Sequence, residues 1–181
     1  MDKKTIILIS CGHFEKSVID KISSDLLSVF GLPLDVRHCN LDLNSFYNPG
    51  RRQYDANLIL KKVSELAPHG AYKTIGLLRV DLFIPILTYI FGQSVLNGNT
   101  GIVSLYRLRN ELYGMKQDDR LLTERFRKVI IHELGHSFGL IHCLNPSCIM
   151  RSSTYVEDLD QKKLGFCNKC TEELNFRIRK D

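Results

Sequence analysis

Residues 5–10 form a continuous apolar, β-branched run, the pattern of a strand buried on both faces. Over 14–30 the apolar positions change period. Val18, Ile19, Ile22, Leu26, Leu27 and Phe30 recur at helical spacing, and Gly31 supplies the stop with Pro33 beyond it. A second strand is predicted at 34–39, so the chain opens as a βαβ unit with a right-handed crossover. A polar connection containing Pro49 leads to a helix predicted at 52–66, with Tyr54, Leu58, Leu60 and Val63 apolar and Pro68 and Gly70 closing it. Residues 74–80 read as a third strand. Residues 81–91 are apolar but carry Pro85, which predicts a loop or a broken helix. A turn at 97–101 (NGNTG) precedes a fourth strand at 102–109, whose YRLR end predicts partial exposure. After a loop at 110–120, Val129, Ile130, Leu134 and Phe138 mark a helix over about 123–140. A last helix is predicted at about 168–179.

The order βαβαββα, with no repeat, low-complexity run or linker, predicts one α/β domain over 1–181. That length can bury a sizeable core. A formal charge of +5 without a basic stripe gives no reason to expect nucleic acid. No segment has the apolar length of a membrane span. The N-terminal apolar run is too short for a signal peptide and lacks a small-residue cleavage site. The expectation is a cytoplasmic monomer. In a chain without an export signal, six cysteines point to a metal site ahead of three disulfides.

The chemistry lies in residues 128–150, KVIIHELGHSFGLIHCLNPSCIM. His132 and His136 are four residues apart and so share one face of a helix, one turn apart, where both imidazoles can reach a single metal. Glu133 lies beside them, placed to act on the water that such a metal would activate. His142 cannot join them on the same helix, because six helical residues would carry it roughly 9 Å along the axis and onto another face. The helix therefore has to stop, and Gly139 is the residue that accepts the left-handed conformation at its end. Three neutral imidazoles and one open position suit a catalytic zinc.

The sequence His132-Glu133-x-x-His136-x-x-Gly139-x-x-His142, followed by Met150, resembles the metzincin zinc peptidases. Cys143, Cys148 and the later pair Cys167 and Cys170 make it similar to the archaemetzincins within that group. The resemblance implies a metzincin-like zincin, with a twisted mixed sheet backed by helices. Residues 1–139 would form an upper part carrying the active-site helix, and 140–181 a small lower part pinned by zinc. It also implies that the fourth strand, here 102–109, is the antiparallel sheet edge bordering the cleft. Met150 would lie under the ligand histidines as packing, without ligation, and 151–157 would wall the pocket for the residue after the scissile bond. Some metzincins ligate zinc through a tyrosine two residues after that methionine. Here the position is Ser152, so no such ligand is expected.

Cys143, Cys148, Cys167 and Cys170 are expected to supply the thiolates of a closed, structural zinc site, two disulfides or unrelated thiols being the other readings of these residues. Adjacent residues on an extended chain point to opposite sides, so His142 and Cys143 can serve different metals. Cys11 and Cys39 are read as buried free thiols. The expected protein is a zinc-dependent metallopeptidase with two zinc ions, acting on peptides or proteins with Glu133 as general base. A zinc-stabilised module that holds peptides without cleaving them is the alternative, but it has no use for Glu133. A nucleic-acid reading of the cysteine unit would draw on Lys162, Lys163 and Lys169, but Phe166 is the only aromatic near them.

Overall fold

The computed structural model describes residues 4–180. In chain order the elements are β1 (Ile6–Ser10), α1 (Lys16–Phe30), β2 (Leu34–His38), β3 (Tyr47–Asn48), β4 (Gln53–Asp55), α2 (Ala56–Leu66) and β5 (Lys73–Leu78). They continue with β6 (Leu82–Ile84), β7 (Leu87–Ile90), β8 (Gly92–Ser94), β9 (Thr100–Ser104), α3 (Asp119–Ser137), α4 (Val156–Asp160) and α5 (Asn168–Lys180). The main sheet runs β2-β1-β5-β9-β8. Its first four strands are parallel, and β8 is antiparallel to β9. A smaller sheet, β3-β4-β6-β7, lies beside it.

Alternation along β1 divides the core in two. Ile6 and Leu8 join α1 and α3 through Ile22, Leu26, Phe30, Val129 and Ile130. Ile7 and Ile9 face the other way, onto Ala56, Ile59 and Val63 of α2. A sheet covered on both faces explains why every residue of β1 and β5 is buried. Gly76 lets α2 approach closely, since a Cβ there would lie 2.9 Å from Val63 Cγ2.

Two elements differ from the sequence reading in ways that move the cleft. The strand expected at 102–109 ends at Ser104, where the chain enters 3-10 turns, and β9 lies inside the sheet between β5 and β8. The antiparallel edge is β8, which lies between the stretch 81–91, read as a loop or broken helix, and the turn at 97–101, in residues that the sequence reading assigns to no element. Its three residues, and the short β6–β7 hairpin before it, are too brief for a period-2 pattern to show.

The active-site helix also starts earlier than predicted. Asp118 caps α3 by accepting from Leu121 N at 2.8 Å. Charged residues obscure the core face of this helix. Arg125 is buried and pairs with Asp160, with Nη2–Oδ2 at 2.6 Å, and it also donates to Leu108 O at 2.9 Å. Buried Lys128 donates to Leu159 O at 3.0 Å. Together they tie α3 to α4.

Candidate active site and metal centres

Gly139 is the residue that turns the chain back. Its φ is +87°, and helix α3 ends in a complete Schellman motif. Gly139 N donates to His136 O at 2.8 Å and Leu140 N to Gly135 O at 2.9 Å. This turn brings His142 to the two histidines on α3. The three rings lie with His136 Nε2 at 3.0 Å from His132 Nε2 and at 3.3 Å from His142 Nε2.

The tautomers of the helical pair follow from their outer contacts. His132 Nδ1 lies 2.8 Å from Ile149 O, and His136 Nδ1 lies 2.7 Å from Leu140 O. A carbonyl oxygen accepts only, so each Nδ1 carries the proton and each Nε2 presents a lone pair. Two lone pairs 3.0 Å apart repel unless a cation neutralises them. Burial pushes all three imidazoles below their usual pKa, which disfavours a shared proton as that cation. Nitrogens about 2.05 Å from a tetrahedral zinc would be separated by about 3.3 Å, so the donor set fits.

Glu133 is buried next to this cluster, 6% exposed. Ser94 Oγ on the edge strand β8 donates to Glu133 Oε2 at 2.9 Å. Burial raises the carboxyl pKa to about 7, against the opposing effects of the Ser94 hydrogen bond and the charge of Lys162. Gly92 lets this carboxylate sit against the strand. A Cβ there would lie 2.8 Å from Glu133 Cγ and 2.8 Å from Ile102 O. Under the helix, Met150 is fully buried with its sulfur against Gly135, where any side chain would collide with it.

A cavity of about 560 Å³ opens in front of these groups. Its walls are the β7–β8 edge on one side and Ser152–Tyr155 with Leu159 on the other. The second wall is braced by Asp158, which accepts from Thr154 N at 2.8 Å and Tyr155 N at 2.9 Å; those bonds hold its carboxyl below the usual range. Tyr89 Oη donates across the cavity to Thr154 O at 3.0 Å.

Cys143, Cys148, Cys167 and Cys170 form a second cluster, with all four sulfurs within 4.8 Å of one another. Cys143 Sγ and Cys167 Sγ are 3.8 Å apart, far beyond a disulfide bond. That separation matches the edge of a tetrahedron with metal–sulfur bonds of about 2.3 Å, which is about 3.8 Å. Backbone amides point at the sulfurs, Asn145 N to Cys143 Sγ at 3.4 Å and Cys167 N to Cys148 Sγ at 3.3 Å. These are contacts suited to thiolates. His142 and Cys143 thus turn to separate clusters. Cys11 and Cys39 are free thiols, the first buried and the second half-buried.

Every residue singled out in the sequence as a ligand falls in one of the two clusters. Sequence reasoning missed Gly92 and Ser94, because their strand was not recognised. It also missed the burial of Lys162, which it placed with the lysines around the cysteines. Lys162 is 3% exposed and lines the cavity. Its Nζ donates to Ile149 O at 3.3 Å and to Arg151 O, on either side of Met150.

The comparisons with known proteins agree with this picture. The family model "Peptidase family M54" matches residues 1–176. The archaemetzincin of Saccharolobus solfataricus is 34% identical over 179 residues, which is 96% of this chain and 94% of that protein. The crystal structure of archaemetzincin from Methanopyrus kandleri superposes with a TM-score of 0.86 at 28% identity, covering 98% of this chain and 97% of that one. A zinc-dependent peptidase from Methanocorpusculum labreanum gives 0.83 at 30% identity, covering 94% and 100%. Fold, sequence and neighbours together define a zinc metallopeptidase that acts on peptides or proteins. The chain belongs to peptidase family M54, the family of the archaemetzincins.

Proposed function

We propose that His132, His136 and His142 hold the catalytic zinc and that Glu133 is the general base of peptide hydrolysis. The observation that carries this reading is the set of converging ring nitrogens, two of them held as lone pairs by carbonyls that bind the opposite nitrogen. Zinc bound there supplies a Lewis acid that makes water nucleophilic near neutral pH and polarises a carbonyl. Everything else is done by the chain. Glu133, aimed by Ser94, takes a proton from the attacking water and passes it to the leaving nitrogen. Among the described residues the outer side of β8 has no partner strand in the sheet, so an extended substrate adds to it as a further strand beside Glu133.

The four cysteines hold a second, structural zinc, giving two per chain. This set is closed, with no position left for substrate. Its task is to fasten α5, which begins at Asn168 between Cys167 and Cys170, to the segment that carries His142. The chain then works as one catalytic domain, an upper part (1–139) and a zinc-pinned lower part (140–181). A monomer in a reducing, cytoplasmic compartment suits the free thiols Cys11 and Cys39. No nucleic-acid or membrane partner is proposed. Among the described residues no helix is long and apolar enough to cross a membrane.

Elemental analysis during graded chelation tests the two-metal reading. Two zinc ions per chain are expected, the first lost together with peptide cleavage and regained with it on adding zinc. Cleavage that continues after the weaker zinc has gone would contradict the assignment.

A further inference from the structure

Lys162 is a charged side chain that the catalytic scheme does not use. It is 3% exposed, yet no carboxylate is in ion-pair contact with it among the described residues. Its two hydrogen bonds go to the neutral carbonyls of Ile149 and Arg151. An ammonium has three N–H donors, so one remains without a partner among the described residues. Burying an unpaired charge is costly, and such groups are normally paired. The cost is visible in the lysine itself, whose pKa burial lowers to about 8, with Arg151 adding to the shift and the charges of Asp158, Cys148 and Glu133 opposing it without forming an ion pair.

The position of this cation points to what completes it. Among the residues lining the catalytic cavity, Lys162 is the only lysine or arginine, and Glu133 is the only carboxylate. Ser153 lines the same cavity, and its Oγ is buried without a hydrogen-bond partner among the described residues. A cation with a spare donor and an unsatisfied hydroxyl thus share one cavity, whose remaining wall there is apolar, Val129 and Leu159. Ser153 lies within 151–157, the segment that the catalytic reading makes the wall of the pocket for the residue after the scissile bond. On that reading, the side chain of that substrate residue enters the cavity that Lys162 lines.

We propose that Lys162, with Ser153, forms a subsite for a carboxylate, and that the preferred substrates carry aspartate or glutamate immediately after the scissile bond. This rests on the catalytic assignment above for the direction of the substrate. The carboxylate supplies the missing counter-ion, accepts from the free N–H of Lys162, and takes the Ser153 hydroxyl as a second donor. Charge-assisted hydrogen bonds in a partly dry site are the stronger kind, so the discrimination against the isosteric amides is on the order of tenfold or more. A purely structural role for Lys162, bracing the turn around Met150, would affect all peptides alike.

The test measures binding, so that it does not depend on turnover. Zinc-loaded Glu133→Gln protein is titrated calorimetrically with C-terminally amidated peptides that differ only in having Glu, Gln, Asp, Asn or Leu after the intended scissile bond. Glu or Asp is expected to bind about tenfold or more tighter than its amide. The difference is expected to vanish in a Lys162→Met background and to shrink a few-fold with Ser153→Ala, which leaves the lysine's own hydrogen bonds in place. Equal affinity for acid and amide, or a preference that survives Lys162→Met, overturns the subsite. A free-acid Leu peptide is the remaining arm. If it gains over its amidated form while Glu does not gain over Gln, the lysine reads a chain terminus, and the side-chain assignment is wrong. Binding without acid preference leaves the catalytic reading standing, whereas no binding of any peptide overturns the subsite and the cleft assignment together.

Discussion

Ser94 Oγ lies 2.9 Å from Glu133 Oε2, so the edge strand and the active-site helix meet at the carboxylate itself. On the proposed mechanism, one short strand would offer its open edge to a peptide and aim Glu133 at that peptide's scissile bond. Ser94→Ala removes the donor but leaves the backbone of β8 intact. The expected result is a fall in kcat on the order of three- to tenfold, with KM and melting temperature nearly unchanged. An equal change in both kinetic constants would place the serine in substrate binding and not in aiming Glu133.

Gly139 is the residue on which the geometry of the histidine cluster depends most without being a ligand. Its φ of +87° is strained for any side chain, and a Cβ there would collide with the Arg177 guanidinium and lie 2.9 Å from Asn97 Oδ1. In Gly139→Val the turn has to re-form, which moves both His142 and Leu140 O, the carbonyl that fixes the tautomer of His136. Elemental analysis is expected to find the zinc of the histidine site weakened or missing and that of the cysteine site retained. Wild-type affinity at the histidine site would mean that the turn tolerates a side chain.

Cys167→Ser leaves three thiolates and releases the start of α5. Burial of Cys148, Cys170 and Leu174 joins this region to the main core, so its loss spreads beyond the metal. A fall in melting temperature of about 10 °C or more is expected, along with loss of one tightly held zinc. A soluble variant that melts with the wild type would show that the cluster contributes little to folding.

How far the sequence could be read follows the range of each interaction. The pair His132 and His136 is written in a four-residue spacing, and the stop at Gly139 in the residue type, so both are legible locally. The opening βαβ is equally plain, because alternating burial of Ile6 to Ile9 on two faces produces an unbroken apolar run. The partner of Glu133 is not legible, since Ser94 lies 39 residues away on a three-residue strand with no periodicity to reveal it. The same shortness moved the predicted sheet edge onto 102–109, which is the neighbouring, interior strand. Lys162 misled in a different way. A lysine among other lysines reads as solvated, and only the folding of 149–162 around Met150 buries its ammonium.

The most direct measurement of the central claim is the cleavage rate of the Glu133→Gln protein. Glutamine nearly keeps the shape of the side chain and leaves His132, His136 and His142 in place, so zinc content at the histidine site is expected to stay at the wild-type level. Glutamine cannot take the proton of the attacking water. Hydrolysis of a peptide mixture, followed by mass spectrometry beside the wild type, is expected to fall by about a hundredfold or more. A zinc-replete variant that cleaves the same bonds as fast as the wild type would contradict the assignment of Glu133 as general base.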